Sequence, residues 1–441
     1  MRGFRVAVLL KNGQVYTDGR FQAVDIFVQE GVIKRIAPGL SEADANASAG
    51  ELEAVRVIDC QGQHICPGFV DIHVHLREPG FEAKETIKTG TQAAARGGFT
   101  TVCPMPNTDP VLDSVAKLDR FREVAARGSV RVLPYASITQ GLAGSELVDF
   151  AALAERGVLA FTDDGVGVQD ADTMHRAMLQ TAEVGKAIVA HTEENSLIRG
   201  GAIHAGEASE RLGVPGLLSL TESTQIARDV LLAEHAGCHY HVCHVSAKES
   251  VRVIRDAKRA GIRVTAEVSP HHLLLDDTAL VEADPNFKMN PPLRAAEDRE
   301  ALIAGLLDGT LDCIATDHAP HTEAEKARAI EEAPFGIVGS EYAFQLLYTA
   351  FVEKGDFTFE QLVAWLTEKP ADIFGLASGR IVEGAPADIA VVDTHRSYVI
   401  DKETFYSKGR NTPFHGREVN ADVVLTMVDG EIVYQLEGTD E

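Results

Sequence analysis

An α/β fold is what this sequence predicts: a (β/α)8 TIM-like barrel with a small β-sandwich built from both termini. Three observations carry the prediction. Residues 65–375 repeat a strand-then-helix rhythm eight times, as such a barrel requires. Residues 1–64 and 376–441 instead alternate short β-like runs with turns, which suggests one sheet domain assembled from the two ends. Polar residues, histidines above all, stand where the apolar runs of the middle region stop. The rhythm alone would also allow a doubly wound sheet.

Along the chain, β-like runs occupy 6–10, 23–29 and 32–36, followed by an Ala/Ser/Glu-rich stretch at 41–54 that reads as an exposed loop. The eight strands of the middle region fall at 69–75, 99–103, 130–136, 158–162, 187–191, 239–244, 262–268 and 311–316. The first is an apolar run bounded by Pro67-Gly68 and by the turn Glu78-Pro79-Gly80, the signature of a buried strand. Helices lie between the strands, at 223–235 and 246–260 for example. The latter opens with Ser246-Ala247-Lys248-Glu249, a capping-box pattern, and stops at Gly261. Beyond residue 376, strands are expected at 387–392, 423–428 and 431–434.

The 441 residues accommodate a barrel of about 250 residues and an accessory unit. With 45% hydrophobic and 24% charged residues the composition is that of a globular protein. A net charge of -25 argues against nucleic acid or an anionic membrane as partner. An anionic substrate would therefore need local cations. No apolar run reaches the roughly 18 residues of a membrane span, and Met1-Arg2-Gly3-Phe4-Arg5 does not open a signal-peptide core. The six cysteines are scattered without a Cys-x-x-Cys pair. They read as reduced core residues of a cytoplasmic enzyme.

His73 and His75 are the most informative residues. Two apart on a strand, they share a face and leave a core strand side by side near its C-terminal end. Burying two imidazoles is costly unless each has a partner. Hydrogen bonds within the core would serve, and so would a metal ion. Other strand ends shift the balance: Asn107, Asp163-Asp164-Gly165, His191, His244, and Asp317 with His318 and His321. In a barrel these ends form one mouth. Four histidines and two aspartates exceed what one zinc takes. Two metals about 3.5–4 Å apart would use them all if one carboxylate bridges. A hydroxide between the metals is a nucleophile near neutral pH, and an Asp beside it can carry its proton to a leaving nitrogen. The chemistry is metal-assisted hydrolysis of an amide-like bond.

At this point the sequence resembles a known family. The motifs His73-Val74-His75-Leu76-Arg77-Glu78-Pro79-Gly80, Met105-Pro106-Asn107-Thr108, Phe161-Thr162-Asp163-Asp164-Gly165 and Ala315-Thr316-Asp317-His318-Ala319-Pro320-His321 resemble those of the dihydroorotases of the amidohydrolase superfamily. Lys288-Met289-Asn290-Pro291-Pro292-Leu293-Arg294 and Ser407-Lys408-Gly409-Arg410-Asn411-Thr412-Pro413-Phe414 extend the likeness over nearly the whole chain. The resemblance implies a metal-dependent barrel that interconverts N-carbamoyl-L-aspartate and dihydroorotate in pyrimidine synthesis. It implies two zinc ions per subunit, with His73, His75 and Asp317 on the first and His191 and His244 on the second. Asp164 and a hydroxide would bridge them. Asp317 would be the general acid/base. Arg77 and Asn107 would grip the substrate carboxylate, Arg77 through a bidentate fork. His75, Asn290 and His321 would also touch the substrate, with Phe335 and Gly336 closing over its ring. A homodimer and an association with aspartate transcarbamoylase are further implications of the resemblance.

Two rival readings come with it. One is another cyclic amidohydrolase, an allantoinase or hydantoinase; these typically bridge their metals with a carbamylated lysine at the end of strand four. No lysine lies between Gly157 and Asp170, while Asp164 does, so the bridging-aspartate branch fits better. The other is an inactive dihydroorotase-like scaffold for the transcarbamoylase. Such relatives typically lose ligands, and all six expected ligands are present here. His191-Thr192-Glu193-Glu194-Asn195 departs slightly from the family pattern after the histidine. Asp163 is the alternative to Asp164. His271 and His272 are expected to be structural, His318 to orient Asp317 or its loop, and His204, His235, His239 and His241 to be surface or core residues.

Overall fold

A computed structural model describes residues 7–41 and 55–437. The expected loop at 41–54 lies outside the described residues but for Ser41. Both termini contribute to two sheets. The four-stranded one orders Val32–Ala37, Asp25–Gln29, Val8–Lys11 and Arg56–Asp59. The six-stranded one orders Glu431–Gln435, Glu418–Val428, Ile389–Val399, His64–Pro67, Gln14–Thr17 and Arg20–Ala23. Period-two alternation explains how the larger sheet serves two cores. Ile389 and Val391 join Leu10, Ile26, Ile65 and Met427 between the two sheets. Ala390 and Val392 face the other way, into the core that holds Phe69, Phe99 and Phe344.

In the middle region the strands pair in parallel. Phe69–Val74 pairs with Phe99–Pro104, and that with Arg131–Val132. Single bridges run from Ala136 to Phe161 and from Phe161 to Ile188. Ala187–Ala190 continues to His239–Val242, Val264–Val268 and Cys313–Ile314. A parallel bridge from His318 to Val74 returns the series to its first strand. The C-terminal ends of these segments therefore gather on one side. Their inward side chains, among them Ile72, Tyr135, Val189, Cys243 and Cys313, pack together, and Ala371 and Phe374 of the helix Glu368–Phe374 lie against them.

Several expectations need correction. The strand read at 130–136 is reduced to two residues because Pro134 has no N–H for the ladder. The run at 158–162 forms no named strand, although Phe161 and Thr162 donate to Ala187 and Ala136. At 311–316 only Cys313–Ile314 is strand: the Thr316 amide and hydroxyl turn to the Asp71 carboxylate, at 3.0 and 2.5 Å. The capping box at Ser246 does not form. The helix there, Lys248–Arg259, starts after Ala247, and buried Ser246 spends its hydroxyl and amide on Glu222. All six cysteines are buried and free. No described helix is long and apolar enough to cross a membrane.

Candidate active site

The residues singled out at the strand ends converge on a single cavity of about 210 Å³. It is lined by His75, Arg77, Asn107, Asp164, His191, His244, Asn290, Asp317, His321, Phe335 and Gly336, with His73 fully buried beneath. The backbone is bent to present them: Arg77, His244 and Asp317 have φ of 62, 31 and 50°. Non-glycine residues take such angles at a cost and are found clustered at functional sites.

His73 and His75 stand side by side as their spacing requires. The Asp317 carboxylate lies 3.5 Å from His73 Nε2 and 3.2 Å from His75 Nε2. Asp164 approaches the same nitrogens at 3.5 and 3.6 Å and His191 Nδ1 at 3.9 Å. Its neighbour Asp163 is taken up elsewhere, accepting from Ile138 N, Thr139 N and Thr139 Oγ1. Burial alone would raise the pKa of Asp164 and Asp317. The surrounding imidazoles outweigh it and hold both carboxyls well below their usual range.

The donor set fits a divalent metal. His73, His75 and Asp317 place ligand atoms within 4.8 Å of one another, as do His73, Asp164 and His244. His73 Nε2, Asp164 Oδ1 and His244 Nδ1 are buried without a hydrogen-bond partner. His191 Nδ1 and His244 Nε2 face each other at 3.0 Å. Burial, then His191 and His73, push the His244 pKa down to about 3. A neutral imidazole offers the lone pair of its one unprotonated nitrogen, which is what a borderline metal takes. A third cluster of His73, Cys243 and Glu267 has metal-like spacing. Burial raises the Cys243 thiol, so it stays neutral there, and Glu267 is occupied by hydrogen bonds to histidines.

The rim is cationic and polar. Arg77 donates Nε to Pro320 O at 3.2 Å, and its Nη2 lies 3.2 Å from His321 Nε2. Burial lowers its pKa to about 10, against the pull of Asp317 and Asp164, so the guanidinium stays charged. His321 is kept neutral, its pKa pushed down to about 2 by burial and then by Arg77 and Lys84. Its Nε2–H donates to Phe335 O at 2.8 Å, which leaves Nδ1 to accept from Lys84 at 3.4 Å. Asn107 bridges the two sides, its Nδ2 3.2 Å from Asp164 Oδ2 and its Oδ1 3.2 Å from His75 Nδ1.

Several participants escaped the sequence reading. Asn290 donates to both oxygens of Glu193, which also lies 3.4 Å from His191 Nε2. Glu193 follows His191 by two residues, and that adjacency was its only signal. His241 is a core residue, one of the two expected alternatives, and with His73 it flanks the buried Glu267, at 3.1 and 2.5 Å. His318 does not bond Asp317. It meets Glu85 at 3.4 Å and accepts from Gly339 N. Asn411, in the motif at 407–414, holds the rim by accepting from His321 N and donating to Ala319 O and Gly336 O.

Glu85 is the anchor that joins these loops. It is fully buried and accepts from Ser407 Oγ, Thr89 Oγ1 and Lys408 N. Burial would raise its pKa, but His318, Ser407 and Thr89 outweigh it and lower it. A carboxylate with a depressed folded pKa contributes stability that is full above its unfolded value and is lost as pH falls below it. Glu85→Gln is therefore expected to cost about 1.5–3 kcal/mol at pH 7. The difference from the unsubstituted chain should shrink as pH falls below about 4.5, measured by denaturant unfolding across pH. An equal loss at pH 7 and pH 3 would contradict the charged-anchor account.

Known proteins resemble this chain over nearly its whole length. A family model described as Dihydro-orotase-like matches residues 62–250. The chain is 58% identical over 428 residues to a protein of Staphylococcus aureus named Dihydroorotase, covering 97% of this chain and 99% of that one. A Staphylococcus epidermidis protein of the same name is 57% identical over 430 residues, with the same coverage. Among solved structures, the L-hydantoinase (dihydropyrimidinase) of Arthrobacter aurescens superposes with a TM-score of 0.86. It is 27% identical, over 97% of this chain and 96% of that one. The dihydropyrimidinase of Brevibacillus agri, at 23% identity and a TM-score of 0.84 over 98% and 95%, shares the fold.

Proposed function

This chain belongs to the dihydroorotase family, and from that premise we propose how its site interconverts dihydroorotate and N-carbamoyl-L-aspartate in pyrimidine biosynthesis. The carrying observation is the meeting of Asp164 and Asp317 with four imidazoles beneath a rim that holds Arg77. The proposed metals are two zinc ions, which His73, His75 and Asp317 and His191 and His244 would hold, with Asp164 as the carboxylate both sets share. When bound, they polarise the ring carbonyl and lower the pKa of water. Asp317 accepts a proton from the attacking water and delivers it to the ring nitrogen as the C–N bond breaks and the C–O bond forms. One water is consumed, and the reverse path releases it. Arg77 and Asn107 hold the substrate carboxylate, and Asn290 and His321 hold its ring polar groups. His75 stands against the substrate, which Phe335 and Gly336 cover.

The parallel pairings that return to their first strand support a (β/α)8 barrel as the middle domain, proposed at 65–375 between sandwich segments 1–64 and 376–441, with the strand His64–Pro67 carrying the sandwich sheet across that first boundary. The family reading carries a cytoplasmic homodimer able to associate with aspartate transcarbamoylase, which gel filtration with and without that enzyme tests. Function is tested by metal analysis and turnover on one purified sample. We expect two zinc ions per chain and hydrolysis of dihydroorotate but not of hydantoin or allantoin. Faster turnover of hydantoin would replace the substrate assignment. Bound metal with no turnover until transcarbamoylase is added would mean a partner-dependent enzyme.

A further inference from the structure

Lys326 sits at the end of the short helix Glu323–Lys326, which Thr322 and Glu325 cap reciprocally. The residue is only 6% exposed. Its ammonium nitrogen donates to three backbone carbonyls: Pro285 O at 2.8 Å, Pro334 O at 2.9 Å and Lys288 O at 3.1 Å. Burial, then the neighbouring Lys288, lowers its pKa to about 7; the charged form, an ammonium with three donors, uses all three here. Its neighbour Glu325 pairs with Lys84 instead, at 3.0 Å. Burying a cation against carbonyls rather than a carboxylate is costly, so the arrangement calls for a reason.

The reason lies in what the three carbonyls belong to. Pro285 and Lys288 precede Asn290, and Pro334 precedes Phe335 and Gly336; all three of the latter line the cavity. The two loops also meet directly: Lys288 Nζ donates to Glu331 O at 3.1 Å, and Met289 shares an apolar cluster with Ile330 and Ile337. Gly336 N donates to Lys288 O at 3.0 Å, and the Lys288 ammonium stands 4.4 Å above the Phe335 ring. Lys326 itself lies outside the cavity lining. We propose that Lys326 is a positioning residue, its ammonium clamping the loop before Asn290 to the loop before Phe335 so that the substrate pocket is preformed. The proposal rests on the dihydroorotase reading for the identity of the substrate, but not for the clamp.

The test compares Lys326→Met, which keeps length and removes every donor, with the unsubstituted chain, both metal-loaded. If pocket order is prepaid by the clamp, its loss is felt in substrate binding. KM for dihydroorotate should rise by about tenfold or more while kcat changes less than about threefold, with metal content unchanged. In the substrate-free protein, amide exchange should quicken at 285–291 and 331–337 and nowhere else. Unchanged KM, a fall in kcat alone, or exchange quickened throughout the chain would overturn the clamp. Should Lys326→Met not fold, Lys326→Gln keeps two donors and should show a smaller rise in KM. If neither folds, the residue serves folding and the proposal fails. Absence of dihydroorotate turnover in the unsubstituted chain would count against the function, leaving the exchange result to judge the clamp.

Discussion

Asp317→Asn is expected to lower dihydroorotate hydrolysis and the reverse cyclisation together, by at least about 10²–10⁴-fold, the range a positioned general acid/base supplies. The residue is singled out by placement. It follows Thr316, whose amide and hydroxyl are both fixed on the buried Asp71, and it precedes His318, whose carbonyl accepts from His75 N at 2.8 Å. Its backbone is thereby held at a φ of 50°, which aims the carboxylate between His73 and His75. Asparagine fills the same volume and can still accept a hydrogen bond, but it cannot take a proton from water and return it to nitrogen. Equal losses in kcat and kcat/KM would mark an interaction made in the transition state. Steady-state rates in both directions, with circular dichroism and metal analysis on the same sample, check the prediction. Turnover within tenfold of the unsubstituted chain would remove Asp317 from the proton path.

Much of this site could be read in the sequence because strand geometry is so restrictive. An apolar run that ends in His-x-His leaves little choice about which face the two rings share, and parallel strands deliver their C-terminal ends to one place. Asp164 could be favoured over Asp163 only by resemblance. The physical reason for the choice, Asp163 accepting from Ile138 and Thr139, depends on a loop 24 residues away. The misreading at Ser246 shares that cause. Ser246 has the spacing of a helix cap, yet Glu222 and Arg294 compete for it across the fold. Lys326 carries no signal in the sequence, and only the approach of two distant loops buries it among three backbone carbonyls. Strand 130–136 was misjudged for a local reason, since Pro134 already carried the signal of a broken ladder.

Glu267 shows most clearly what the linear pattern conceals. It lies within the strand Val264–Val268, where alternation of Val264, Ala266 and Val268 with Thr265 and Glu267 would by itself suggest a solvated face for the glutamate. It is fully buried, with His73 Nδ1 at 2.5 Å, His241 Nε2 at 3.1 Å and His244 N donating at 3.2 Å. Burial would raise its pKa, but His73 and His241 outweigh it and lower it to about 2, so it stays a carboxylate at any working pH. An acceptor on Nδ1 fixes the proton there and leaves the His73 Nε2 lone pair facing Asp164 and Asp317. Carboxylate partners of this kind orient metal-binding imidazoles and raise their basicity, and removing them typically costs 10–100-fold in metal affinity. Glu267→Gln is therefore expected to weaken metal binding by about that factor, read by competition with a chromogenic chelator. Glutamine has one acceptor where Glu267 serves two rings and an amide. Its NH2 group must face one of those partners, and facing His73 would move that ring's proton to Nε2, blocking the ligand atom. Unchanged metal affinity would mean that packing alone orients His73. Weakened affinity with an unaltered fold would place the control of the metal one layer beneath its ligands, on a residue that no spacing of histidines reveals.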